Sequence, residues 1–138
     1  MTSVLNEIVL DAADPAALAE FWCRVLGWQV VDSGDDFYEL LPAPVTDADR
    51  LATFRAGTAL PSLLIQPTGD VKQAKNRVHL DVSPIDCSHD EEVERLLALG
   101  ARHTDIGQDA ASSWTVLEDP AGNVFCVLRS LAEGHPNS

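Results

Sequence analysis

The chain has 138 residues, 46% of them apolar, and sets 22 acidic against 9 basic side chains. That length gives one domain, or two closely packed halves, with enough apolar material for a core. The net charge of −13 repels phosphate backbones and anionic lipid surfaces, so neither nucleic acid nor a membrane is an expected partner.

No apolar run approaches the ~20 residues of a membrane span. The opening MTSVLNEIVLDAADP has neither the basic region nor the apolar stretch of a secretory signal. The expected location is the cytoplasm. Cys23, Cys87 and Cys126 are odd in number and form no CxxC pair. They suggest neither a zinc knuckle nor a disulfide framework, and reduced thiols suit the same compartment.

In chain order, VLNEIVLDA (4–12) reads as a strand. Asp14 is placed to cap a helix whose first residue is Pro15. Leu18, Phe21, Trp22, Val25 and Leu26 recur at helical spacing, and Gly27 ends the helix. Short strands are expected over 28–31, 37–41 and 61–66, with the Pro- and Asp-rich segment between the last two read as a loop. The pattern then restarts. RVHLDVS (77–83) reads as a strand, Ser88 and Glu91 make a capping box, and a second helix runs to Gly100. A short strand over 101–105 follows. SWTVLED and NVFCVLR form a hairpin about the turn DPAGN, and residues 131–138 are expected to be a flexible tail.

The two halves, 4–66 and 77–130, thus share a βαβββ order. Glu7 precedes the cap residue Asp14 by the same interval as His79 precedes Asp86, an offset of about 72 residues between copies. A duplicated unit implies a pseudo-twofold arrangement around one cleft. Glu7 and His79 are then expected to enter that cleft from equivalent strand positions. A histidine there suits acid–base work or ligation, and a carboxylate on a central strand needs a partner or a raised pKa. Together they form a candidate acid–base pair.

The stretches VLDAADPAALAEFWCRVLGW, KNRVHLDV, LLALGA and LEDPAGNVFCVL resemble the vicinal oxygen chelate superfamily, most closely its glyoxalase-like and bleomycin-resistance-like members. The likeness covers roughly residues 4–130. It implies an α+β fold of two tandem βαβββ modules forming curved mixed sheets around a cleft. It also implies a small-molecule ligand or substrate, since the superfamily includes glyoxalase I, extradiol dioxygenases, methylmalonyl-CoA epimerase, and bleomycin- and fosfomycin-resistance proteins. Its metal-using members take ligands from the first and last strands of each half. Carried over by position, those slots fall on Glu7, Gln66, His79 and Cys126.

Cys126 stands where metal-using members carry Glu. A soft thiol replacing a hard carboxylate weakens a site for hard cations and shifts preference towards zinc or copper. No resident metal is therefore expected. If a divalent metal is present, its ligands are expected to be Glu7, Gln66 and His79. Cys126 otherwise reads as a small buried hydrophobe.

Lys72, Lys75 and Arg77 concentrate positive charge before His79 and are candidates to receive an anionic ligand, or a solvated linker. Trp28 and Trp114 are candidates to line a pocket for a flat ligand, with core packing as the alternative; Trp22 fits the core face of its helix. Asp11 and Asp81 sit at nearly matched positions and receive no chemical role. The function implied is binding of a small organic molecule in the cleft with degenerate metal ligands. The alternative is a metal-dependent lyase, isomerase, epimerase or dioxygenase.

Each βαβββ half leaves a sheet edge that needs covering, and members of the superfamily it resembles commonly pair halves between subunits. We predict a homodimer. Light scattering at micromolar concentration should give twice the chain mass of 14.9 kDa; a particle of the single-chain mass would contradict this.

Overall fold

The computed structural model describes residues 3–72, 74, 76–104 and 113–134. It divides the chain into two compact units, Met1–Asp70 and Val71–Ser138, each built on a four-stranded mixed sheet. The class is α+β, as the sequence implied. Among the described residues no helix is long and apolar enough to cross a membrane.

In the first unit, β1 (Glu7–Ala12) runs into α1 (Pro15–Leu26), followed by β2 (Gln29–Ser33), β3 (Tyr38–Leu41), α2 (Asp47–Ala56) and β4 (Ser62–Pro67). The sheet order is β1-β4-β3-β2, with β1 and β4 parallel. The start of α1 is fixed locally. The Asp14 carboxylate accepts the Ala17 N–H at 3.1 Å, and Pro15 sits where a missing N–H costs nothing. Gly27, at φ 67°, ends it. Helix α1 buries Leu18, Ala19, Phe21 and Trp22 against this sheet. Trp22 therefore belongs to the core.

Residues expected to form a loop contain α2 instead. Its signals are polar rather than apolar. Thr46 accepts the Asp49 N–H at 3.1 Å, Asp47 and Asp49 occupy the positive end of the helix dipole, and Gly57 ends it at φ 71°. No residue of α2 is buried. An apolar stripe, the usual sequence sign of a helix, is therefore missing.

In the second unit, β5 (Leu80–Val82) leads to α3 (His89–Leu99), then β6 (Arg102–His103), β7 (Thr115–Glu118) and β8 (Val124–Val127), in sheet order β5-β8-β7-β6. The Ser88–Glu91 capping box forms in both directions, with the Ser88 hydroxyl accepting the Glu91 N–H and the Glu91 carboxylate accepting the Ser88 N–H. Strand β5 starts at Leu80 rather than at Arg77. The cause is Asn76: its amide oxygen accepts the Val124 N–H at 2.8 Å and its amide nitrogen donates to the Val124 carbonyl at 3.1 Å. One side chain thus takes both backbone groups that would otherwise extend the β5–β8 ladder.

The DPAGN turn is built on Asp119, which is wholly buried. One of its carboxylate oxygens accepts the Ala121 and Asn123 N–H groups at 3.0 and 2.9 Å, and the other accepts the Asn123 side-chain amide at 3.1 Å. Gly122 supplies the positive φ of 82° that the turn requires. This turn sets the β7–β8 register in which Val116 faces Cys126.

Replacing Asp119 removes three charge-assisted bonds from a buried turn. Asp119→Ala is expected to cost about 2–4 kcal/mol in urea unfolding. An effect below about 0.5 kcal/mol would show that the hairpin register is held by something else.

Candidate functional site

Strand pleating sorts the side chains of each sheet into two faces. In the second unit, Phe125 and Val127 lie on one face of β8 and Val124 and Cys126 on the other. Val116, Val124 and Cys126 form a small apolar cluster edged by Leu128, and no residue of α3 takes part in it. Cys126 pairs directly across the parallel ladder with Asp81, and His79 lies two residues before Asp81, on the same side. Three donors of different kinds thereby converge. The His79 Nδ1 is 3.0 Å from the Asp81 carboxylate and 4.0 Å from the Cys126 sulfur, and all three ligand atoms lie within 4.8 Å of one another. Cys126 is 7% exposed, whereas the His79 and Asp81 side chains are 39% and 45% exposed. The cluster has a buried sulfur floor and an open mouth.

A carboxylate only accepts hydrogen bonds, so the proton of a neutral His79 resides on Nδ1, facing Asp81. Among the described residues the other ring nitrogen, Nε2, has no hydrogen bond. It is left as an acceptor on a side chain that is 39% exposed. A nucleophile–base–orienter relay would need the two ring nitrogens to serve different partners. Here Asp81 and Cys126 approach the same nitrogen, which is the geometry of a shared centre rather than of a relay.

In the first unit, Glu7, Val9 and Asp11 alternate with Ile8, Leu10 and Ala12 along β1. Glu7 is exposed and, with Asn6, Asp47, Leu51 and Phe54, lines an open pocket of about 280 Å³ beside Arg50. Arg50 of α2 reaches over the sheet. It donates to the Glu39 carboxylate and to the Ser62 hydroxyl at 3.0 Å, and stacks on Phe54 with 5.4 Å to the ring centre. Burial pushes the Glu39 carboxyl up. Hydrogen bonds from Arg50 and Ser62, with the Arg50 charge, outweigh that and hold it below the usual range.

Gln66, next to last in β4, lies beside its ladder partner Asp11, to which its amide donates at 3.0 Å. It borders a second pocket, of about 540 Å³, with Asp36, Phe37, Leu64 and Pro67. Glu7 and Gln66 thus belong to the first unit and His79 and Cys126 to the second, each with neighbours of its own. Arg77 and Lys72 are exposed, and Lys75 lies outside the described residues. Trp28 is half-buried just after the cap of α1, its backbone N–H donating to the Cys23 carbonyl at 3.1 Å. Trp114 is 39% exposed, immediately before β7.

Sequence reasoning missed Asp81 as the partner of His79. The signal was present: residues two apart on a strand share a face. Asn76 was missed because its role depends on the distant Val124. Burial raises the Cys23 thiol, and burial with the surrounding Glu92, Asp86 and Glu91 charges raises Cys87. Neither thiol is an activated nucleophile.

The family model described as a glyoxalase-like domain matches residues 7–128. The chain belongs to the glyoxalase-like domain family. Solved structures agree with that fold. A glyoxalase/bleomycin resistance protein/dioxygenase family enzyme from Burkholderia phytofirmans PsJN is 18% identical, with a TM-score of 0.62 over 91% of this chain and 97% of that one. The fosfomycin resistance protein FosX from Listeria monocytogenes, in complex with Mn(II) and sulfate, is 18% identical, with a TM-score of 0.63 over 94% and 92%. FosX from Mesorhizobium loti is 14% identical, with a TM-score of 0.60 over 93% and 92%. At these identities the likeness is one of fold. No curated protein matches the chain.

The Glu39 carboxyl is more acidic folded than unfolded, so the folded protein binds fewer protons there. Its stabilising effect is complete above the ordinary Glu value of about 4.3 and is lost as pH falls through the depressed value. Arg50→Met should therefore destabilise by about 1–3 kcal/mol at neutral pH. The gap from wild type should narrow on acidification through and below pH ~4. Urea titrations across that range test this; a gap that stays constant with pH would refute it.

Proposed function

We propose that this glyoxalase-like protein binds a small polar–aromatic organic molecule, with His79 as its polar anchor. The observation that carries the reading is the Asp81–His79 contact. Asp81 fixes the tautomer and leaves Nε2 to accept an O–H or N–H from the ligand. Leu128, partly exposed and packed on the buried Val116 and Val124, provides an apolar edge for the ligand body beside that polar point. Arg77 and Lys72 supply positive charge for an acidic substituent. Gln66, Trp28, Trp114 and Cys126 are proposed as further ligand-contacting groups, and Glu7 as the partner of His79 in any proton transfer.

In this reading no cation of the manganese or magnesium class is resident, because the thiol at 126 is a poor donor to hard metals. The whole chain acts as one domain made of two halves, paired with a second copy. The three free thiols suit a reducing cytoplasm.

A second reading follows from the likeness to FosX, whose structure holds Mn(II). It makes the chain a metal-dependent lyase, isomerase, epimerase or dioxygenase with Glu7, Gln66 and His79 as ligands. Near-stoichiometric Mn in protein purified without chelator, lost in His79→Ala, would establish it.

The first reading is tested by a thermal-shift screen of small phenols, aromatic acids and amides on chelator-treated protein. Ligand at 100 times its Kd stabilises by about 2.7 kcal/mol. A domain of this size should then shift its Tm by roughly 5–10 °C. The shift should vanish in His79→Ala and shrink in Asp81→Asn. Hits that stabilise His79→Ala as well as the wild type would overturn it.

A further inference from the structure

We propose that His79, Asp81 and Cys126 form a site for a divalent cation of the zinc class, in preference to manganese or magnesium. It rests on the cluster that anchors the proposed ligand, but not on the identity of any organic molecule. Glu7 and Gln66 are not needed as ligands.

The donor set decides the metal. A thiolate is soft, imidazole is borderline and a carboxylate is hard; that mixture suits zinc or cobalt(II), not the all-oxygen preference of manganese or magnesium. The hard-cation expectation from the fold is therefore not met by these residues. Sulfur occupies the deepest position, at 7% exposure, and no carboxylate shares the floor of the cluster with it.

The geometry supports the same reading. Zinc with bonds of about 2.0–2.3 Å in tetrahedral array holds its donors about 3.3–3.6 Å apart. The imidazole–carboxylate and imidazole–sulfur distances here, 3.0 and 4.0 Å, bracket that range. The third separation, at most 4.8 Å, closes by a side-chain adjustment of the half-exposed Asp81. Three protein ligands leave a fourth tetrahedral position towards the open side, the arrangement that lets zinc hold water or a substrate oxygen.

The backbone preorganises this triangle. Asp81 and Cys126 are ladder partners on adjacent strands, and Asn76 ties the segment before His79 to Val124. Binding shifts the His79 ring proton from Nδ1 to Nε2, releases the thiol proton of Cys126 to solvent, and changes Asp81 from hydrogen-bond acceptor to metal ligand. Val116 and Val124 keep the sulfur side dry, which strengthens the metal–thiolate bond.

Chelator-stripped, reduced full-length protein is titrated with Co(II), followed by thiolate-to-cobalt charge-transfer absorption in the near ultraviolet. One equivalent should develop the band, Zn(II) should abolish it, and a large excess of Mn(II) should not. The band should be absent in Cys126→Ser and persist in a Cys23→Ser, Cys87→Ser double variant. Asp81→Asn, at a half-exposed position that tolerates the change, should weaken Co(II) binding at least about tenfold. Circular dichroism confirms that each variant is folded. No thiolate band in the wild type, a band surviving in folded Cys126→Ser, unchanged affinity in Asp81→Asn, or displacement by Mn(II) would each overturn the proposal. The thermal-shift screen on stripped protein reads the ligand proposal independently, so either can fail alone.

Discussion

The second sheet depends on a buried carboxylate. Asp119 has no exposure to solvent, and it accepts two backbone N–H groups and one side-chain amide within a turn of five residues. A buried charge is tolerated only when it is so fully hydrogen-bonded. In return it fixes the β7–β8 hairpin, and with it the position of every β8 side chain. A slip of one residue would turn Cys126 to the face of Phe125 and Val127. The convergence of Cys126 with His79 and Asp81 therefore begins at a turn several residues away.

Asn76 completes the arrangement from the other side. By occupying both backbone groups of Val124 it stops the β5 ladder at Leu80 and leaves His79 at the strand entrance. A histidine one step inside a ladder would have its backbone fixed by the sheet. One at the entrance keeps a half-exposed ring while sharing the face of Asp81 and Cys126. The chemistry thus sits at the junction of regular and irregular backbone, where side chains are both positioned and accessible.

The two units put different chemistry on a repeated plan. The first surrounds its open face with Glu7, Asp11, Gln66 and the Arg50–Glu39–Ser62 network, all oxygen and nitrogen groups. The second places a thiol, an imidazole and a carboxylate within reach of one centre. The family and its structural relatives account for the shared sheets and helices. They do not account for a sulfur donor at 126, since function resides in the side chains a fold displays rather than in the fold.

Much of the architecture is written locally. Asp14-Pro15, Ser88 with Glu91, and Gly27 and Gly100 fix the ends of α1 and α3 through contacts within a few residues, and the sequence alone located both helices. Alternation within NVFCVLR separated Cys126 from Phe125 and Val127 for the same reason. Helix α2 escaped because its start and stop signals were local but its side chains stay at the surface, so no apolar period announced it. What only the tertiary structure decided was pairing across distance. Asp81 meets Cys126 through a parallel ladder, and the Asn76 side chain meets the Val124 backbone just before it, each joining residues more than forty positions apart. A parallel ladder has no short turn to declare its register, so the partners of His79 became visible only when the strands were brought together.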